Sequence, residues 1–356
     1  MSDSLELRTY PPSLPGDEEE NQAFLRARGL ESPEGEPDYR ACLFDRGRLV
    51  GSASRYGKVI QALAIEESRA GGGLAARLVS ELEAEAGRRG LARLFVFTSP
   101  GNRAVFEGMG YHGIAEAPGA ALLLEKGRGL EDWLAEARLG LDEARERAGL
   151  PGPGLSVLVV NCNPFTLGHL HLARTAAAAS AFVLVLVVRE DASSFPYDVR
   201  FRLVRDGLSG IANLAVLPGS DYLVSRATFP TYFLKDRAGE AAAIHARLDA
   251  ELFGRRIAPA LGVDRRFLGQ EPYSPVTAIY NRVLAETLPP LGIAVTEIPR
   301  LESGGAAVSA SSVRAAIKAG RLQDARALVP DTTWNYLISP EAGPVLEALR
   351  SSEGRH

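Results

Sequence analysis

A strand followed directly by a tight turn and a helix is the pattern that most constrains this chain. The bulky apolar run Leu155–Val160 precedes the turn Thr166-Leu167-Gly168-His169, and the Ala-rich run Leu170–Ala181 follows it. A helix that begins at such a turn directs backbone N–H groups and the positive end of its dipole at whatever lies above it. Gly168 permits close approach, Thr166 offers a hydroxyl, and His169 offers a ring N–H or a positive charge. The turn therefore suits a phosphate group.

The second half of the chain repeats this alternation of strand and helix. Its apolar strands are expected at Leu155–Val160, Phe182–Val188, Leu214–Leu217, Arg266–Gly269 and Ile293–Ile298, with helical stretches between them. Alternation of this kind predicts an α/β fold with a parallel sheet covered by helices on both faces. Ligands of such sheets lie above the carboxyl ends of the strands, which is where the Thr166 turn is expected.

The first half predicts a mixture of strands and helices. Arg40–Phe44 and Leu49–Tyr56 have the pattern of a hairpin around Asp45-Arg46-Gly47, and Val59–Ile65 and Arg93–Thr98 are further strands. Between them, Gly71–Arg88 begins with glycines and becomes an amphipathic helix. This half is therefore expected to form a separate α+β domain.

The boundary between the halves is expected at Pro151-Gly152-Pro153-Gly154, the clearest hinge signal in the sequence. A charged helical pattern, Leu130–Leu150, precedes it. We therefore predict a first domain over 1–128, a helical linker with its hinge over 129–154, a second domain over 155–340 and a tail over 341–356.

Composition excludes several classes of protein. The net charge of −4 provides no basic field for nucleic acid. Cys42 and Cys162 are the only cysteines, and their separation fits neither a disulfide framework nor a zinc site. No apolar run approaches the roughly 20 residues that span a bilayer, and Met1–Arg8 is unlike a signal peptide. A cytoplasmic protein without a membrane or nucleic-acid partner is expected.

A second segment has a composition suited to phosphate. Ser309-Ala310-Ser311-Ser312-Val313-Arg314 follows the last predicted strand and opens a helix that ends at Gly320. Its serines can cap that helix or bind phosphate oxygens, and Arg314 and Lys318 project from one face. Taken alone, a stretch of this kind usually forms a serine cap with a solvated basic face. Two such segments at strand-to-helix junctions of one domain favour a shared ligand.

These two segments resemble the paired signatures of the HIGH-type nucleotidyltransferases, which cleave ATP between its α- and β-phosphates. Within that superfamily the sequence resembles the citrate lyase ligase family most closely. The resemblance rests on longer runs spread through most of Leu155–Leu337: Asn161–His169, Glu190–Arg200, Pro218–Asp236, Ile257–Pro272 and Val308–Arg314. The most specific of them is Ser225–Asp236.

The resemblance implies which residues form the site. Thr166, His169 and Arg314 are expected to be catalytic. Nucleotide contacts are expected from Asn163, Phe165, Gly168, Arg200, Gly269, Glu271, Ser309, Ser311 and Ser312, and substrate contacts from Arg226 and Lys235. A metal site built by protein side chains is not expected, because His169, His171 and His245 have no carboxylate partners at ligand spacing.

The resemblance also implies a reaction. ATP, with Mg²⁺ bridging its phosphates, would activate acetate as acetyl-adenylate, and the acetyl group would pass to the thiol of a phosphoribosyl-dephospho-CoA arm on the citrate lyase acyl carrier subunit. Such an acid–thiol ligase works by positioning and electrostatics rather than through a protein nucleophile. Cys162 is accordingly expected to have a small apolar role, and His171, two residues beyond His169, a noncatalytic one.

The first half resembles the GNAT acetyltransferases. Gly71-Gly72-Gly73-Leu74-Ala75 is similar to their acyl-CoA pyrophosphate loop, and Asn102, Phe106, Gly110 and Tyr111 are similar to a later segment of that fold. Ala70 departs from the loop pattern, where Gln or Arg is usual, which puts acetyl transfer by this domain in doubt. The fold expected is thus a GNAT-like α+β domain followed by a Rossmann-like parallel-sheet nucleotidyltransferase domain.

Three alternatives stay open on the sequence. Another HIGH-type adenylyltransferase, acting on pantetheine phosphate or nicotinamide mononucleotide, would use the same ATP motifs, although Ser225–Asp236 disfavours it. The second alternative is a GNAT acetyltransferase with a degenerate nucleotide domain, and the third is a nucleotide sensor without turnover. Intact Thr166, His169, Ser309 and Arg314 beside the altered loop at Ala70 argue against the second.

Overall fold

The computed structural model describes residues 5–10, 15–30, 35–189, 193–223, 240–270, 275–303 and 306–351 of the chain. The chain divides into two compact units. Unit one consists of Met1–Glu131 with Arg226–Leu252, and unit two consists of Asp132–Ser225 with Phe253–His356. None of the helices within the described ranges is long and apolar enough to cross a membrane.

Strands and helices alternate along most of the chain. The strands are β1 Leu5–Tyr10, β2 Tyr39–Asp45, β3 Arg48–Tyr56, β4 Val59–Ile65, β5 Leu94–Thr98, β6 His112–Ala117, β7 Ala121–Lys126, β8 Ser156–Val160, β9 Val183–Val187, β10 Leu214–Pro218, β11 Arg265–Gly269, β12 Ala294–Ile298, β13 Glu302–Ser303 and β14 Ala306–Ala307. The helices are α1 Pro15–Arg26, α2 Leu74–Arg88, α3 Arg103–Glu107, α4 Gly129–Ala148, α5 Leu167–Ala178, α6 Tyr197–Leu208, α7 Ala241–Leu252, α8 Ala258–Leu261, α9 Pro275–Thr287, α10 Ala310–Lys318, α11 Asp331–Leu337 and α12 Gly343–Ser351.

Unit one contains a seven-stranded mixed sheet in the order β1-β2-β3-β4-β5-β7-β6. The pairs are antiparallel except β4 with β5, which run parallel. Helix α2 packs on the sheet through Leu78, Val79 and Leu82, which are buried with Val96 of β5. Its apolar residues recur at helical spacing, so one face of the helix covers the sheet.

Unit two contains a five-stranded parallel sheet in the order β10-β9-β8-β11-β12. The chain builds outwards from β8 through β9 to β10, and then returns to the other side of β8 with β11 and β12. This reversal leaves a crevice at the carboxyl ends of β8 and β11, the position at which open α/β sheets bind ligands. The mixed and parallel sheets confirm the predicted two-domain α/β class.

Two elements differ from the predicted domain boundaries. Helix α7 falls inside the predicted second domain, yet it belongs to unit one, where it packs on β6 and β7 and brings His245 against the ring of Phe97 at 5.8 Å. The predicted tail contains helix α12, which packs on α10 and buries Val345 and Leu349 in the unit-two core. The apolar residues of these helices acquire their partners only through long-range contacts.

Candidate active site

The turn after β8 fixes the orientation and the tautomer of His169. Thr166 is the N-cap of α5, and its hydroxyl accepts the backbone N–H of His169 at 3.4 Å. In return, the backbone N–H of Thr166 donates to Nδ1 of His169 at 3.1 Å. Nδ1 therefore carries the lone pair, and the ring proton is on Nε2. The capping box that stabilises this helix start presents the imidazole as an Nε2–H donor.

The imidazole of His169 is neutral at physiological pH. Burial lowers its pKa to about 4, and the positive charge of Arg300 contributes to the same shift. The ring also stacks on Phe165, with centroids 6.0 Å apart and planes 16° from parallel. Of the two roles that the sequence allows, a ring N–H or a positive charge, the geometry selects the ring N–H.

The serines of the second motif form the cap of α10. Ser309 is the N-cap, and its hydroxyl accepts the backbone N–H of Ser312 at 3.0 Å. Its Oγ also lies 2.9 Å from Oγ of Ser311 and 2.8 Å from Oγ of Ser312. The three hydroxyls are thus gathered at one helix N-terminus, where they can act as a group on an anion.

The structure brings the two motifs together. A Cβ added to Gly168 would lie 2.7 Å from the carbonyl oxygen of Val308, the residue before Ser309. Arg314 donates from Nη1 to the carbonyl oxygen of Asn163 at 2.5 Å, and burial lowers the pKa of its guanidinium. The N-terminal ends of α5 and α10 therefore lie side by side at the end of β8. Both helix dipoles favour negative charge there.

Arg200, predicted as a nucleotide contact, binds backbone carbonyl groups. Its side chain is fully buried. Nη1 donates to the carbonyl oxygens of Asn161 and Val188 at 2.7 and 2.9 Å, and Nε donates to that of Phe195 at 3.0 Å. These carbonyls follow β8 and β9, so Arg200 ties the loops at the strand ends together and positions them.

Asn163 and Phe165 also hold the turn in place. The side-chain oxygen of Asn163 accepts the backbone N–H of Phe195 at 2.9 Å. Phe165 is buried, and its carbonyl oxygen accepts the buried hydroxyl of Thr333 at 2.9 Å. Asn163 and Phe165, both predicted site residues, therefore hold the turn after β8 in place. Phe165 also packs against the His169 ring.

Of the remaining predicted residues, Gly269 lies within the described part of the chain. Gly269 ends β11 beside the crevice, and its carbonyl oxygen accepts Nδ2 of Asn281 at 3.0 Å. Glu271, Arg226 and Lys235 lie outside the described residues.

Cys162 is a buried thiol. It is 2% exposed, and burial raises the pKa of the thiol well above its ordinary value. A thiol held in the protonated form is a poor nucleophile. This agrees with the small apolar role expected from the sequence. His171 is partly exposed on the following turn of α5.

Arg300 was not among the predicted site residues. It follows β12, and its charge acts on the His169 ring. No local motif marks it, and the only signal in the sequence is its place two residues beyond a predicted strand. A cation at a strand end of a parallel sheet is a candidate for ligand contact.

Within the part of the chain that the structure describes, His112, Glu125 and Glu131 of unit one have ligand atoms within 4.8 Å of one another. Nε2 of His112 lies 3.9 Å from Oε2 of Glu125. The same Glu125 oxygen accepts the backbone N–H of Leu130 at 3.3 Å, in the first turn of α4. A carboxylate at a helix start stabilises the helix without a metal ion.

Unit one contains a cavity of about 680 Å³. Strands β4 and β5 pair at Val59↔Phe95 and Ile60↔Val96, and residues farther along both strands, including Leu63 and Thr98, line the cavity. Ala62, with φ of 54°, marks a bulge that bends β4. The turn at 71–73, before the N-terminus of α2, lines one end of the cavity. This apolar cavity therefore ends at a helix N-terminus that suits an anion.

Comparison with known proteins agrees with the motifs. The model of the citrate lyase ligase C-terminal domain matches residues 155–337. A [citrate [pro-3S]-lyase] ligase of Klebsiella pneumoniae is 41% identical over 295 residues, covering 82% of this chain and 84% of the relative. The Haemophilus influenzae protein of the same name is 35% identical over 323 residues, covering 89% and 93%.

Solved structures similar to part of the chain include an acyl-CoA N-acyltransferase from Pseudomonas aeruginosa. It is 12% identical with a TM-score of 0.30, and the match covers 35% of this chain and 100% of that one. An Escherichia coli protein, ElaA, is 10% identical with a TM-score of 0.31, covering 35% and 99%.

The fold and the site define a two-domain α/β protein whose second domain gathers two helix N-termini, an imidazole and a guanidinium at the end of a parallel strand. The sequence relatives specify it further. The chain belongs to the citrate lyase ligase family.

Proposed function

We propose that this protein uses ATP and acetate to acetylate, and thereby activate, citrate lyase. Acetate attacks the α-phosphorus of ATP, the bond to the diphosphate breaks, and acetyl-adenylate forms. A thiol of the target then attacks the acetyl carbonyl, forming a thioester and releasing AMP. The observation that carries the proposal is the convergence of the Thr166–His169 turn with the Ser309–Arg314 cap. The names of the relatives supply the target.

In the first step, negative charge grows on the α-phosphate oxygens and on the departing diphosphate. His169 donates its Nε2–H to the α-phosphate, together with the backbone N–H groups of the first turn of α5. Ser309, Ser311 and Ser312, with the N-terminus of α10, bind the β- and γ-phosphates, and Arg314 adds positive charge. All these groups are held before the substrate arrives, which lowers the cost of reorganisation during the reaction.

Magnesium enters this proposal bound to ATP. Mg²⁺ prefers carboxylate oxygens and water, whereas the described groups that converge at the site are N–H donors, hydroxyls and guanidinium groups. The described residues therefore do not fit a magnesium site of their own. The acetylation steps above are assigned to protein groups alone.

The acetyl acceptor is the thiol of a CoA-like arm on the acyl carrier subunit of citrate lyase, and the unit-one cavity binds that arm. The support is chemical. A pantetheine chain is slender and carries amides, which match backbone groups of β4 and β5 where these strands separate, and its phosphate suits the turn before α2. The altered loop at Ala70 fits binding without acetyl transfer.

A cavity-filling substitution tests this binding. Ala76 lines the cavity, whereas Ala84 on the same helix is exposed. The full chain, saturated with a nonhydrolysable ATP analogue to occupy the nucleotide site, is titrated with dephospho-CoA in a calorimeter. We expect binding heat from the wild type and from Ala84→Phe, and its loss in Ala76→Phe. Equal heats for both variants, or no heat from the wild type at millimolar ligand, would contradict the assignment.

The decisive test of the activity is acetate-dependent release of AMP in the presence of deacetylated citrate lyase. We expect AMP and diphosphate in equal amounts and a gain of citrate lyase activity. Phosphopantetheine or nicotinamide mononucleotide in place of acetate tests the alternative adenylyltransferases. Diphosphate release with either of these, and none with acetate, would overturn the proposal. Acetyl transfer from acetyl-CoA without ATP would favour the acetyltransferase alternative.

A further inference from the structure

Arg300 is held at the end of β12 by contacts to the neighbouring strand. Its Nε donates to the carbonyl oxygen of Gln270 at 2.8 Å, and the backbone N–H of Gln270 donates to Ile298 at 2.9 Å. These bonds extend the pairing of β11 with β12 beyond the carboxyl ends of both strands. The guanidinium is therefore anchored at the edge of the crevice.

A second set of contacts joins Arg300 to the two motifs. The next residue, Leu301, accepts the backbone N–H of Val308 at 2.9 Å, and the carbonyl of Val308 is the group that lies against Gly168. The short hairpin of β13 and β14 thus starts beside Arg300 and ends where the motifs meet. The residue after Arg300 is thus linked to the N-terminus of α5 through the Leu301–Val308 hydrogen bond and the contact of Val308 with Gly168.

The positive charge of Arg300 acts electrostatically on the imidazole of His169. Burial is the larger cause of the lowered pKa of this ring, and the positive charge of Arg300 lowers it further. The contacts are independent of that charge: Nε holds the guanidinium at the carboxyl end of β11, and the Leu301–Val308 hydrogen bond joins the backbone beside Arg300 to the segment that lies against Gly168. Because Nδ1 accepts the Thr166 N–H, the imidazole offers a phosphate a hydrogen bond from Nε2 but no charge. Positive charge at that phosphate therefore has to come from other groups.

We propose that Arg300 is a catalytic residue that contacts the α-phosphate beside His169 and supplies the positive charge that the neutral imidazole lacks. This assignment rests on the proposed adenylation. Guanidinium groups suit phosphate because their N–H donors match two oxygens at once. In the transition state the α-phosphate gains negative charge, so a fixed guanidinium stabilises it more than it stabilises bound ATP.

The test compares Arg300→Gln and Arg300→Lys with Arg265→Gln. Arg265 lies at the opposite end of β11, where its Nη1 is 3.5 Å from the carbonyl oxygen of Ala179. We expect Arg300→Gln to lower kcat for acetate-dependent AMP release by roughly 10²–10³, the scale for losing one charge-stabilising group. Arg300→Lys should recover part of the loss, added guanidinium should partly rescue Arg300→Gln, and Arg265→Gln should match the wild type.

Two spectroscopic readouts separate this proposal from failure of the proposed function. In Arg300→Gln the pKa of His169, followed by ring NMR, should rise, and the ³¹P resonance of the α-phosphate of a bound nonhydrolysable ATP analogue should shift more than that of the γ-phosphate. These readouts hold even if acetate is not the acid. Unchanged α-phosphate and His169 signals, or an effect on the KM of acetate alone, would overturn the assignment.

Discussion

Replacement of His169 with alanine is expected to lower the rate of acetate-dependent AMP release by roughly 10²–10³ while the protein remains folded. The variant loses the Nε2–H that the Thr166 cap directs towards the ligand. The Thr166 hydroxyl still caps α5, so the circular dichroism spectrum should not change. The measurement is kcat under saturating ATP and acetate.

His171→Ala is the matched control for this variant, because His171 is on the same helix, is partly exposed and forms no part of the proposed site. It should retain wild-type kcat. Near-wild-type AMP formation by His169→Ala would remove His169 from the mechanism.

The pH dependence follows from the same histidine. Its pKa of about 4 in the folded protein, lowered by burial and by Arg300, is below the ordinary value of 6.5. The ring is therefore neutral throughout the range above about pH 5, and it should contribute no step in the rate near pH 6.5. Between about pH 6.5 and 4 only the unfolded chain takes up this proton, so stability should fall with falling pH. His169→Ala should remove that part of the pH dependence of unfolding.

The second large effect is expected from Gly168→Ala. The added methyl group would lie 2.7 Å from the carbonyl oxygen of Val308, a backbone atom that cannot rotate away. Overpacking of this kind costs about 1–3 kcal/mol. The N-termini of α5 and α10 must move apart, and displacement of catalytic groups by about 1 Å reduces rates by about 100-fold. We expect a loss of kcat of that size together with a lower melting temperature.

Gly210→Ala is the control, since a Cβ at Gly210 meets nothing within 4 Å in the same unit. It should be close to wild type in both rate and melting temperature. A Gly168→Ala variant with wild-type activity would show that the distance between the two motifs does not matter for the reaction.

Much of the fold follows from local patterns. Val59–Ile65 is strand β4 residue for residue, and the five strands predicted in the second half form the parallel sheet within one or two residues at each end. These predictions succeed because apolar periodicity and glycine-containing turns act over a few neighbouring residues. The strand–turn–helix order also places the Thr166 turn correctly at the carboxyl end of β8.

The element against which a helix packs is harder to predict from the sequence. Helical stretches are expected between the strands of the second half, but nothing in their pattern indicates that α7 packs on β6 of unit one. The predicted tail contains α12, whose Val345 and Leu349 are buried. The pattern of a helix shows that one face is covered, whereas the covering element is chosen by contacts between residues far apart in sequence.

By itself, the sequence determined the family, the two sheets and the residue types of the candidate site, because strand, turn and helix signals and the two motifs are local. Only the tertiary structure decided what those residues do. It buried Arg200 among carbonyl groups, joined Gly168 to Val308, bound the Thr166 N–H to Nδ1 of His169 and brought the charge of Arg300 to that ring. Burial, tautomer and electrostatic coupling depend on distances through space, which the order of residues along the chain does not contain.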